Sequence, residues 1–99
     1  LKIKAGEVYT FNMNNGQELI AKLLSEDDKY YHIEAPLMVA AGKDGPFLAP
    51  ASATADVDGV SAILVTSVAM VRPSREDSVD AHRESITGIT VPEKQIVLG

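Results

Sequence analysis

Between Val8 and Glu34 the chain reads VYTFNMNNGQELIAKLLSEDDKYYHIE, and no other segment restricts the fold as tightly. Val8 to Met13 carries β-branched and aromatic residues, which fit a pleated, half-buried surface. Asn14-Asn15-Gly16 follows; Asn-Gly is a strong hairpin signal because both residues tolerate positive φ. Gln17 to Ser25 resumes an apolar strand, and Glu26-Asp27-Asp28-Lys29 makes a second polar turn. From Tyr30 the chain alternates. Tyr31, Ile33, Ala35, Leu37 and Val39 fall on one face, and Tyr30, His32 and Glu34 on the other. A period of two predicts a half-buried strand, and Pro36 within it predicts an exposed edge or a bend. Three strands joined by two tight turns make an antiparallel meander.

Gly42-Lys43-Asp44-Gly45-Pro46 is a dense turn signal, followed by a short apolar strand from Phe47 to Ala53 that Pro50 interrupts. Thr54 to Gly59 reads as a loop. Val60 to Val71 reads as one long strand, bent near Thr66-Ser67, and brings the expected number of strands to five. Arg72-Pro73 ends the β region. Ser74 then suits a helix N-cap, with Glu76 and Asp77 in the first turn, where the helix dipole favours acids. The expected helix runs from Arg75 to Thr87 and is closed by Gly88. Its apolar content is thin (Val79, Ala81, Ile86), which predicts a surface helix. The tail from Ile89 to Gly99 alternates weakly, and Pro92 limits it to an edge strand or a loose end.

With 99 residues the chain has room for one domain. Its core is poor in aromatic residues and has no Trp, so burial against further copies of the same chain would add needed stability. The absence of cysteine excludes disulfides, a thiolate nucleophile and thiolate metal sites. No apolar run approaches the ~20 residues that cross a bilayer, and no signal-peptide pattern is present, so the expected location is the cytoplasm. The net charge of −5 argues against a general nucleic-acid binder and against a partner that is duplex DNA. It is compatible with a local basic rim.

Catalytic chemistry finds no support. Ser67 and Ser74 have no His–Asp arrangement around them, and Gly42, Gly45 and Gly59 match no phosphate-cradling pattern. His82 with Asp80 and Glu84 has the residue types of a metal site, but helical spacing separates them onto different faces. Glu26-Asp27-Asp28 lacks the spacing of a calcium loop. The expectation is therefore a non-enzyme without cofactor or metal.

One further pattern lies in the first hairpins. Ala21 stands five positions after Gly16, Leu23 two further on, and Asp27 four beyond that. This spacing resembles the first motif of Sm-like proteins. Val60 to Arg75 resembles their second motif, and Val71-Arg72-Pro73-Ser74-Arg75 is similar to its ending in the bacterial Sm-like RNA chaperone. Gly45-Pro46-Phe47 and Glu84-Ser85-Ile86-Thr87-Gly88-Ile89 are similar to small Sm-like proteins of tailed phages, cyanophages included.

The resemblance implies an all-β fold: a five-stranded, strongly bent Sm-like (SH3-type) barrel over about residues 5–72, with a C-terminal helix and tail over about 74–99. It implies a homo-oligomeric ring of about five to seven subunits, closed by edge pairing through residues 47–53 and 60–70. It also implies contact with single-stranded RNA, in a host cytoplasm if the chain is phage-encoded. In RNA-binding rings an aromatic residue after the Asp stacks on a base and an Asn follows it. Counted from Asp27 these positions are Lys29 and Tyr31; counted from Asp28 they are Tyr30 and His32. The candidate RNA-binding set is Tyr30, Tyr31 and His32, with Lys29, Asn12 and Asn14 beside them. The bland alternative makes one Tyr a core residue and His32 a solvated side chain. The second motif normally brings a cation, whereas this chain has Val65, Thr66 and Ser67 there. That departure keeps open a second function, a phage-type structural or assembly ring that binds protein and not RNA.

Overall fold

Both tight turns form where the residues require them. At the first, Gly16 adopts φ +91°, its N–H donates to the Met13 carbonyl (3.0 Å), and the Asn15 side chain accepts from the Gln17 N–H (2.9 Å). The computed structural model describes the backbone of residues 3–98 and the side chains of residues 3–87. The elements are β1 (Val8–Met13), β2 (Glu18–Glu26), β3 (Tyr30–Gly42), β4 (Gly45–Pro50), β5 (Val60–Leu64), a 3-10 turn (Val65–Ser67), β6 (Val68–Pro73) and α1 (Glu76–Leu98).

All strands belong to one antiparallel sheet in the order β4-β3-β2-β1-β6, with β5 also on β3. One edge of β3 is divided. Its first half, Tyr30 to Glu34, pairs with β5, and its second half, Leu37 to Gly42, pairs with β4. Pro36 stands at the changeover, where a residue without an N–H removes no ladder bond. The expected long strand over 60–71 is thus two strands, broken by the 3-10 turn at the Thr66-Ser67 bend, and the sheet has six strands and not five. A three-residue turn carries the chain from β5 at one end of the sheet to β6 at the other, so the sheet is strongly curled. It is not closed: among the described residues no ladder joins β5 to β6.

The main core is a cluster of Tyr9, Phe11, Leu19, Ala21, Leu23, Tyr31 and Ile33. Ala21 is fully buried, and the β2–β3 register shifts at it, between Ile20 and Lys22, and again beyond it, between Leu23 and Ser25. These irregularities bend the strand around the core.

The alternation along β3 does not keep to one face. Lys22 pairs with Glu34 and Ile20 with Leu37, so β3 carries one extra residue at Ala35-Pro36. Ala35 has φ +55°, the only positive φ outside glycine among the described residues. An extra residue inverts the phase of a strand. Before it, Tyr31 and Ile33 face the main core; after it, Met38 packs against that core. Leu37 and its partner Ile20, both buried, therefore occupy the opposite face.

Helix α1 lies on that second face. His82 is 5 % exposed, and its Nε2 is 2.7 Å from the Ala35 carbonyl oxygen. The helix and the sheet enclose a groove of about 460 Å³ lined by Val8, Lys22, Glu34, Val79, His82 and Ile86. The surface helix expected from sequence is thus anchored by a buried polar contact. Nor does it end at Gly88. It continues through Gly88 and Pro92 to Leu98, so the tail forms neither an edge strand nor a loose end. A glycine inside a helix costs only about 1 kcal/mol relative to alanine, which does not compel a stop.

The strained Ala35 supplies a direct test. Left-handed backbone costs a non-glycine residue roughly 1–2 kcal/mol, and a β-branched one more. Ala35→Val, an improvement by strand propensity alone, is expected to lower unfolding free energy by about 2 kcal/mol or more, and Ala35→Gly to stay within about 1 kcal/mol of the parent. His82→Ala is expected to cost about 1–3 kcal/mol by leaving a buried carbonyl unpaired. Urea denaturation measures all three.

Candidate nucleic-acid interface

The candidate site grows from the turn between β2 and β3. The Asp27 carboxylate organises it. Oδ1 accepts the N–H groups of Lys29 and Tyr30, each at 2.8 Å, and Oδ2 lies 3.0 Å from His32 Nε2. The Asp27 N–H donates in turn to the Tyr30 carbonyl (2.9 Å). The His32 hydrogen bond, with those from Lys29 and Tyr30, holds the Asp27 carboxyl at a pKa of about 2, below its ordinary 3.8.

The turn sends its two tyrosines opposite ways. Tyr31 is buried, with its ring centroid 5.5 Å from that of Phe11, and burial followed by the Glu26 carboxylate raises the pKa of its phenol. It belongs to the core and presents no ring face for a base, which corrects its place among the candidates. Tyr30 is 37 % exposed, and its ring stands 6.0 Å from that of His32 at an interplanar angle of 48°. Of the two ways of counting, the one from Asp28 is the one whose residues, Tyr30 and His32, face solvent.

The 3-10 turn ties this region to the first hairpin. The Val65 N–H donates to the Lys29 carbonyl (2.8 Å), the Asn14 N–H to the Ser67 carbonyl (2.8 Å), and Asn14 Nδ2 to the Thr66 carbonyl (2.7 Å). Asn14, Lys29, Tyr30, His32 and Asp27 therefore sit at one end of the sheet. Asn12 stays on the ladder, between Glu18 and Met70, and has no hydrogen bond to this group. Gly16 and Leu23 act in the fold, one in the turn and one in the core. Sequence reasoning did not see the contribution of the Thr66 and Ser67 carbonyls, because backbone acceptors leave no trace in residue identity. The bend at these residues was the available signal.

Lys29 is the one cation in the turn, beside Glu26, Asp27 and Asp28. The site is therefore poor in phosphate-neutralising charge, and what it offers is an aromatic face and hydrogen-bonding groups. Among the described residues no group of three or more His, Asp or Glu side chains is placed to hold a metal ion, and no helix is long and apolar enough to cross a membrane. In comparison with known proteins, no family model matches the chain, and no curated protein matches it.

The Asp27 network predicts an acid transition. A carboxyl whose pKa is depressed by folding stabilises the folded state fully above its ordinary value, and this contribution is lost as pH falls through the folded value. For Asp27 that window runs from pH 3.8 down to about 2. Thermal unfolding of the parent is expected to show a loss of stability across this window that is smaller in Asp27→Asn, whose amide does not titrate.

Proposed function

We propose that this chain is a subunit of an Sm-like homo-oligomeric ring that binds single-stranded RNA by stacking a base on Tyr30. The observation that carries the reading is the Asp27 turn, which turns Tyr30 and His32 to solvent and is hydrogen-bonded through Lys29 to the 3-10 turn. In Sm-like proteins the corresponding two turns carry the RNA site. The curled antiparallel sheet and the 3-10 link between its last two strands also support an Sm-like barrel.

The ring is supported by the state of the sheet ends. Among the described residues β5 pairs only with β3, and β6 only with β1. Both are rich in apolar residues yet contribute no buried side chain: Val60 is 66 % exposed, Leu64 46 % and Met70 46 %. An apolar strand with a free edge is an aggregation hazard unless another chain covers it. Pairing β5 of one subunit with β6 of the next is a heterologous contact that closes into a ring and uses both edges. The expected edges at 47–53 and 60–70 fall on β4 and on β5 with the first part of β6.

A second reading, an assembly ring that binds protein and not RNA, is favoured by the carboxylates of Glu26, Asp27 and Asp28 around Tyr30. Carboxylates repel phosphates, whereas an aromatic residue ringed by acids suits a basic protein surface.

Light scattering after size-exclusion chromatography is expected to give one species of roughly 50–75 kDa from the 10.6 kDa chain, and Val60→Lys with Leu64→Lys to give a monomer. Tyr30→Ala is expected to weaken binding of a short single-stranded RNA by about 1–3 kcal/mol, the loss usual for one stacked base. An RNA affinity unchanged by that substitution excludes Tyr30 as the site. Preserved ring mass without RNA binding selects the protein-binding reading.

A further inference from the structure

The groove between α1 and the sheet contains a buried side chain with an unused acceptor. His82 lines it and is 5 % exposed. Its Nε2 meets the Ala35 carbonyl oxygen at 2.7 Å, and a carbonyl only accepts hydrogen bonds. Nε2 therefore carries the proton, and in the neutral imidazole Nδ1 is a bare acceptor. Nδ1 has no hydrogen-bond partner among the described residues. Nor is it sealed off, since no side-chain nitrogen or oxygen among them is both enclosed and unbonded. Nδ1 therefore opens on the groove.

The other lining groups define what could meet it. Val8 on β1 and Val79 and Ile86 on α1 form apolar walls. Each cation at the rim is held by a carboxylate: Lys22 by Glu34 at 3.9 Å, and Arg83 by Asp80 at 2.8 Å. Asp58, also at the rim, is exposed and makes no ion pair among the described residues. The groove thus has no surplus positive charge to attract an anion. Its volume of about 460 Å³ is that of a small-molecule pocket.

We propose that this groove is a small-molecule site for a flat, apolar heteroaromatic ring that carries an N–H donor. The ring lies against Val8, Val79 and Ile86, and its N–H donates to His82 Nδ1. The site is separate from the Tyr30 turn and does not rest on the RNA reading. An analogue without the donor strips water from Nδ1 and returns no hydrogen bond, so the site discriminates by that one atom.

The test uses indole and benzofuran, two rings of the same shape of which only indole has an N–H. Each is titrated at pH 8 into the full chain, isotope-labelled for NMR. Indole is expected to bind with a Kd below about 1 mM and to shift the amide signals of Ala35, Val79 and Ile86. It is also expected to move the His82 Nδ1 resonance toward that of a protonated nitrogen. His32, which does not line the groove, is expected to stay in place. Benzofuran is expected to bind roughly five- to tenfold more weakly, the worth of one hydrogen bond, and to leave His82 Nδ1 unmoved. Val79→Trp fills the groove from the helix side and is expected to abolish indole binding. Intermolecular Overhauser contacts between indole and the Val79 and Ile86 methyls place the ring in the unsubstituted chain, so the test stands even if that variant fails to fold. Absence of indole binding, equal affinity for the two rings, or contacts to residues outside the groove overturns the proposal.

Discussion

The bulge at Ala35 is the constraint on which the rest of the structure depends. One extra residue in β3 inverts the strand, so that a single run of alternating apolar residues serves two faces. Tyr31 and Ile33 close the main core from within, and Leu37 joins Ile20 on the side where α1 lies. The left-handed backbone at Ala35 is unfavourable by itself. It is held from two directions, by the Gly59 carbonyl on the Ala35 N–H (3.0 Å) and by His82 on the Ala35 carbonyl. The loop before β5 and the helix after β6 thereby meet at one residue. β3 also changes partner there, from β5 to β4, which lets one long strand support two short ones.

A second dependence runs through the 3-10 turn. β5 and β6 lie at opposite ends of the sheet, and only a tight curl lets three residues join them. The turn is held by Lys29 from one hairpin and Asn14 from the other, so the curl and the candidate site share the same hydrogen bonds. Asp27 stands at the start of this chain of contacts. Its carboxylate holds the Tyr30 N–H and the His32 ring together. A site built this way is preorganised: its polar groups are oriented before any ligand arrives, and binding pays less ordering entropy.

The electrostatic balance sets what such a site can recognise. A net charge of −5 and three carboxylates in the turn leave little attraction for a phosphate backbone. Affinity at Tyr30 would come from stacking and from directional hydrogen bonds, which discriminate chemistry better than they accumulate energy. In the proposed ring each subunit would contribute one such site, and a weak single contact would be strengthened by repetition along a strand.

The local elements were legible in the residues. Asn-Gly needed a hairpin, the β-branched runs needed strands, and Glu76 with Asp77 marked the first turn of a helix, because each of these preferences acts within a few residues; the expected cap was one residue off, since Arg75 gives the first helical carbonyl and the Ser74 hydroxyl bonds Thr10 instead. The polar turn from Glu26 to Lys29 was legible for the same reason. The two-residue period of Tyr31 to Leu37 was equally visible but misleading, since a bulge leaves the pattern of residue types unchanged while exchanging the faces they meet. The choice between Tyr30 and Tyr31 was also beyond the sequence: adjacent residues on a strand point to opposite sides, and only packing against Phe11 decides which side is the core. The tertiary structure alone decided the split of the last strand, the open sheet with its exposed apolar edges, and the seat of His82 under the helix. These rest on contacts between residues far apart in the chain, such as the 47 positions that separate Ala35 from His82, and no local preference encodes them.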